Sequence, residues 1–149
     1  MWRDPTEAFE AGDRRLRLVL PPIFEGPTTR GLYDERTGVL WSVDSFAALT
    51  TGAVHQVEEL PKDLYDESFQ MFNSRSHPGT SGPPVAYNRH VDTVGALKPL
   101  VVASAHGPIL RGGAIHDAFD RVRALAGQPR VQPPGQPLLD ELLATAIAA

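Results

Sequence analysis

The chain has 149 residues, 42% of them hydrophobic and 21% charged, with a net charge of -4 and a pI near 5.7; this fits one ordinary globular domain able to bury a core. The single basic cluster, RRLR at 14–17, is short and lies beside Asp13, so there is no electrostatic footprint for nucleic acid. Cysteine is absent, which excludes disulfides, thiolate nucleophiles and cysteine-held zinc or iron–sulfur clusters and leaves His, Asp and Glu to hold any metal.

Residues 1–14 read as a polar lead-in without usable periodicity, and MWRDPTEAFEAGD is too acidic and polar for a signal peptide. No apolar run approaches the length that crosses a bilayer, so no membrane is expected and the cytoplasm is the expected compartment. RLRLVL (15–20) alternates charged with apolar side chains as a half-exposed strand does, and Pro21-Pro22 ends it. TTRGLY (28–33) and VLWSV (39–43) read as two strands of a hairpin joined by DERTG, whose Asp, Thr and Gly suit a turn. The second of these strands delivers Asp44 at its end.

From Leu60 the period changes. Leu64, Tyr65, Phe69 and Phe72 fall on one helical face, with Pro61 and several acids where a helix begins. SRSHPGTSGPP (74–84) is a loop by composition. Tyr87, Val91, Val94 and Leu97 mark a second helix that Pro99 stops before a core strand, LVVAS at 100–104. A third helix carries Ile115, Phe119, Val122 and Leu125, with Gly127 as its C-cap. This order is α/β, with the domain spanning 15–127. Residues 128–137 form a Pro-rich linker, and 138–149 a short amphipathic helix whose leucine face requires a partner.

An Asp ends one strand and His106, followed by Gly107-Pro108, ends another, which places a carboxylate and an imidazole at one rim of a sheet. Such donors bind zinc, iron or manganese. Read singly, Asp44 is a turn cap, His106 a turn histidine and Glu25 a loop acid. His77 sits in the Ser-Pro-Gly loop, either solvated or facing the site from a lid. His90 and His116 are expected to face solvent from helices, and His55 lies in a polar connection. The serines near His77 lack anything that would orient a base.

LWSVDSF and SAHGPIL together resemble the C-terminal half of a metallo-β-lactamase-fold domain, most closely the oxygen-binding diiron domain of flavodiiron proteins. In that family a strand ends in a bridging Asp, preceded by Leu-aromatic-Ser and followed by a small residue and Phe. About sixty residues later comes a His in a Ser/Ala-His-Gly-Pro context; here 62 positions separate Asp44 from His106. The resemblance implies an αββα sandwich of which this chain carries one mixed sheet with flanking helices, the N-terminal half being absent. It also implies iron or zinc, dinuclear in a complete domain, held here by Asp44 and His106. No flavin site is evident.

The chain departs from the family in two places. The family's first ligand motif, of the His-x-(His/Glu)-x-Asp-His type, is absent. Glu25, 19 positions before Asp44, stands where the family has a further His. The expected function is therefore that of a metallo-β-lactamase-fold metalloprotein, hydrolase or flavodiiron-like oxidoreductase, carried in an incomplete domain with reduced or no activity alone. The alternative is a non-catalytic α/β module that acts by association, as a homo-oligomer or with a partner chain, because half a domain leaves apolar surface and strand edges open. The substrate and the catalytic residues are not specified by these motifs.

Overall fold

Strand-forming residues on either side of tight turns build a ladder of neighbours in the computed structural model, which describes residues 7–23, 26, 28–74, 83–128, 135–137 and 140. The strands are β1 (Ala8–Ala11), β2 (Arg14–Val19), β3 (Gly31–Asp34), β4 (Val39–Trp41), β5 (Val101–Ala103) and β6 (Leu110–Arg111). They form one sheet in the order β1-β2-β3-β4-β5-β6. Every neighbouring pair is antiparallel except β4 and β5, which run parallel. A parallel pair needs a long crossover. Here it contains α1 (Lys62–Asn73) and α2 (Pro84–Gly95), and α3 (Gly113–Ala124) follows β6.

The lead-in read from the sequence contributes an element after all. Residues 8–11 pair with β2 across the Gly12-Asp13 turn, with Phe9 opposite Leu16, so a partner strand supplies the order that AFEA lacks alone. The two-residue β6 was likewise invisible before β5 provided its ladder.

Alternation gives the sheet two distinct faces. Val19, Leu40, Val102 and Leu110 point one way and join Tyr65, Phe69, Tyr87, Val91, Ile115, Phe119 and Val122 of the helices in a single core. Tyr33 shares this face and donates its hydroxyl to the Leu97 carbonyl at 2.9 Å, tying β3 to the end of α2. The predicted apolar stripes of α2 and α3 are buried or half-buried. On α1, Tyr65 and Phe69 are buried but Leu64 is 50% exposed. Among the described residues no helix is long and apolar enough to cross a membrane.

Candidate metal centre

β4 and β5 run side by side in the same direction, so the chain leaves both at the same rim of the sheet, in turns that carry Asp44 and His106. Ladder hydrogen bonding continues past the strands: Ser42 N–H donates to Ala103 O at 2.9 Å and Ala105 N–H to Val43 O at 2.6 Å. The Ser104 hydroxyl adds a second donor to Val43 O at 2.9 Å. His106 O then accepts the Ala48 N–H at 3.3 Å. Gly107 makes this approach feasible. Its φ is +100°, and a Cβ there would lie 2.5 Å from Ala48 O and 2.8 Å from Ala48 N, inside any tolerable contact.

The Asp44 turn is held from below by buried polar groups. Ser42 Oγ donates to Ser45 O at 2.8 Å. Ser45 Oγ accepts Ile23 N–H at 2.8 Å and donates to Ile23 O at 2.7 Å, clamping the chain that follows β2 against the turn. Asn73, at the end of α1 and 1% exposed, ties this turn to its own helix through its amide. Its Oδ1 accepts Phe46 N–H at 3.1 Å, and its Nδ2 donates to Ala47 O at 2.7 Å and Phe69 O at 2.8 Å. These contacts hold Val43 at φ 55° and Phe46 at φ 67°, left-handed conformations costly for a β-branched and an aromatic residue. Phe46 offsets part of that cost by burying its ring against Phe119, with centroids 4.8 Å apart.

On this platform the two donors meet. His106 Nε2 lies 3.5 Å from Asp44 Oδ1, with the imidazole side chain 56% exposed and the carboxylate 26% exposed. The Phe72 ring of α1 stands beside the imidazole, its centroid 5.7 Å away, and walls one side of the pair. Asp44 is thus the acid of a turn as well as half of a pair. The type of donor and its spacing suit an ion, since two ligands each about 2.1 Å from a tetrahedral metal lie about 3.4 Å apart. The number of donors does not suit one: among the described residues no three of His, Asp and Glu come together to hold a metal.

Glu25 and His77 lie outside the described residues. His90 corrects its expected solvent-facing position, because its Nε2 lies 3.0 Å from Pro21 O and the residue is half-buried. His116 is exposed and sits 3.6 Å from Asp120, one helical turn away, and His55 is exposed. Sequence reasoning missed Asn73, Ser42 and Ser45. The two serines flank Asp44 within the quoted motif, whereas nothing marks Asn73 before α1 is placed.

No protein-family model matches the chain, and no curated protein matches it by sequence. Its architecture does match solved structures. The flavodiiron protein from Giardia intestinalis superposes with a TM-score of 0.68 at 18% identity, covering 85% of this chain and 30% of that one. Rubredoxin oxygen:oxidoreductase from the anaerobe Desulfovibrio gigas gives 0.69 at 16% identity, covering 83% and 31%. A chemotaxis sensor described as a peroxy diiron species gives 0.65 at 20% identity, covering 91% and 53%. The chain therefore has a metallo-β-lactamase-like α/β fold, with a mixed six-stranded sheet and α1, α2 and α3 among the described residues, and spans between about a third and about half of the structures it resembles. At these identities the likeness establishes the fold alone.

Proposed function

We propose that this chain is the metal-ligand-bearing C-terminal portion of a flavodiiron-like metallo-β-lactamase-fold metalloprotein, with Asp44 and His106 as ligands to iron or zinc. One observation supports this reading above the others. Two residues 62 positions apart, on turns at the ends of adjacent parallel strands, bring a carboxylate oxygen and an imidazole nitrogen to 3.5 Å at an open rim. A first-row metal held there would polarise a bound substrate and acidify bound water for hydrolysis or, as iron, take part in oxidoreduction. Both chemistries belong to a completed centre, and the two donors that meet among the described residues are too few to support a step. The roles of these residues are to supply one carboxylate and one imidazole and, through Ser45, Asn73 and Gly107, to keep them aligned. We place the protein in the cytoplasm on its composition. A Glu25 carboxylate, two positions after the clamped Ile23, is the next candidate ligand.

The test is metal analysis of the purified chain after reconstitution with iron or zinc, for the native protein, Asp44→Ala and His106→Ala. Metal retained by the native chain and lost from both variants is the expected result. Metal content indifferent to both substitutions, in a folded protein, would remove the reading. The association-module alternative is favoured by a separate observation, a sheet face whose Leu32, Val39 and Val101 join no described helix in the core.

A further inference from the structure

A cavity of about 200 Å³ lies between the short helical turn at Val57–Glu59, the first turn of α1 and one side of α3. Val57, Leu60 and Ala114 give it apolar walls, and Lys62, Arg121, Glu58 and Asp117 bring two cations and two carboxylates to it. At 1.5 Å per residue along α1, Lys62 is roughly 16 Å from Asn73, which holds the Asp44 turn. Tyr65 also lines the cavity and is 4% exposed. Its hydroxyl is buried without a hydrogen-bond partner among the described residues. Burial pushes that hydroxyl up to about 12, while Arg121 pulls it down and Asp66 and Asp117 push it further up. Arg121 and Asp117 are residues of the cavity, so the hydroxyl lies on the cavity side, as a neutral donor. A buried hydroxyl without a partner is destabilising, and an acceptor placed in the cavity would relieve a cost already present.

The charges are arranged in an unusual way. Asp117 and Arg121 are i and i+4 on α3, the spacing at which opposite charges on a helix pair. Here they do not. Arg121 Nη2 instead lies 2.5 Å from Asp66 Oδ1, in an alignment too poor for a hydrogen bond, and its guanidinium carbon stands 5.4 Å from the centre of the Tyr65 ring. Asp66 already accepts from Lys62 Nζ at 2.5 Å on its other oxygen. Arg121 therefore keeps donors of its planar fork uncommitted. Neither Asp117 nor Glu58 has an ion-pair partner among the described residues. One cavity thus offers an uncommitted cation, uncommitted carboxylates and an unpaired hydroxyl.

We propose that this cavity binds a small zwitterion, a free α-amino acid with a short side chain. The carboxylate of the ligand takes the Arg121 fork and accepts the hydrogen bond of the Tyr65 hydroxyl, its ammonium donates to Asp117 and Glu58, and its side chain lies on Val57, Leu60 and Ala114. A simple anion would leave the two acids unanswered, and a simple amine would leave Arg121 so. The volume suits this class, being smaller than the roughly 300–1,000 Å³ of pockets that take drug-sized ligands. The site shares no residue with the Asp44–His106 pair and stands whether or not that pair holds a metal.

The experiment is isothermal titration calorimetry of the full chain with L-alanine, acetate and ethylammonium. Saturable binding of L-alanine is expected, with acetate and ethylammonium each weaker by about tenfold or more, because each lacks one charge-assisted contact. Asp117→Asn, at an exposed position, and Arg121→Gln should each weaken L-alanine by about tenfold or more. Tyr65→Phe should weaken it by about threefold to tenfold and leave the thermal midpoint of the ligand-free chain unchanged or raised, since the phenol has no partner to lose. A folded native chain that shows no saturable binding of L-alanine at millimolar concentration would overturn the site. Acetate bound as tightly as L-alanine would replace the zwitterion by a simple anion, and an affinity untouched by both Asp117→Asn and Arg121→Gln would overturn the location. A Tyr65→Phe chain with a lowered midpoint and undiminished affinity would show a merely structural tyrosine and remove its part in the site.

Discussion

The two faces of the sheet differ less in sequence than in what covers them. Toward the helices, Leu40, Val102 and Leu110 are sealed, with Phe69, Val91 and Val122 packed over them at 1% exposure or less. Away from the helices, Leu32, Val39 and Val101 are just as apolar yet only half-buried. The difference teaches that apolar alternation specifies a two-sided sheet, while the layers that satisfy each side come from different places. One layer is built by α1, α2 and α3; no described helix supplies the other.

The largest expected contrast is between core residues on the two sides. Phe69→Ala, which removes a ring 1% exposed, should lower the unfolding free energy by about 3–5 kcal/mol. Leu32→Ser on the open face should change it by no more than about 1 kcal/mol in dilute protein. Urea unfolding of both variants checks this, and equal losses would break the comparison.

Next come the residues that hold the rim. Gly107→Ala forces a side chain into a backbone at φ +100° with Ala48 O 2.5 Å from the new Cβ. A cost of about 1–3 kcal/mol is expected from the strain, together with displacement of His106 visible as a changed imidazole NMR shift. Asn73→Ala leaves the buried Phe46 N–H without its acceptor and should cost about 1–3 kcal/mol. Loss of metal retention greater than the loss of stability would show that the turn, rather than the fold as a whole, depends on this amide.

The smallest effect is an acid dependence at the far end of the open face. Hydrogen bonds from the Thr37 hydroxyl, the Arg36 and Thr37 backbone amides and the Arg14 guanidinium hold the Asp34 carboxyl down at about 2, against an opposing push from burial. A carboxyl depressed on folding stabilises the protein fully above its ordinary titration range, and that contribution disappears as the pH falls through the depressed value. An acid titration by circular dichroism should therefore show a step toward pH 2 that Asp34→Asn abolishes.

Much of this was legible from residues alone. The 2.0 and 3.6 periods marked β2, β4, β5 and the three helices, because side-chain alternation is local to each element. Asp44 and His106 stood out through their motifs, and the fold brings the two side chains together. β1 was not, since AFEA carries little strand preference and becomes one by pairing with β2. His90 was misread because its partner is the Pro21 carbonyl, 69 positions away. Asn73 was invisible for the same reason: its three hydrogen bonds reach a turn 26 and 27 positions distant as well as its own helix.

Read alone, the sequence marked most of the strands and helices, the absence of cysteine from the chain, and a carboxylate and an imidazole at the ends of two strands. Tertiary structure decided that those donors meet at 3.5 Å, that Val43 and Phe46 hold left-handed turns beside them, and that one apolar sheet face lacks a described helical layer. The physical reason is range. Periodicity and turn chemistry act over a few residues, whereas the meeting of two distant side chains and the covering of a sheet depend on contacts between segments that only the folded chain brings together.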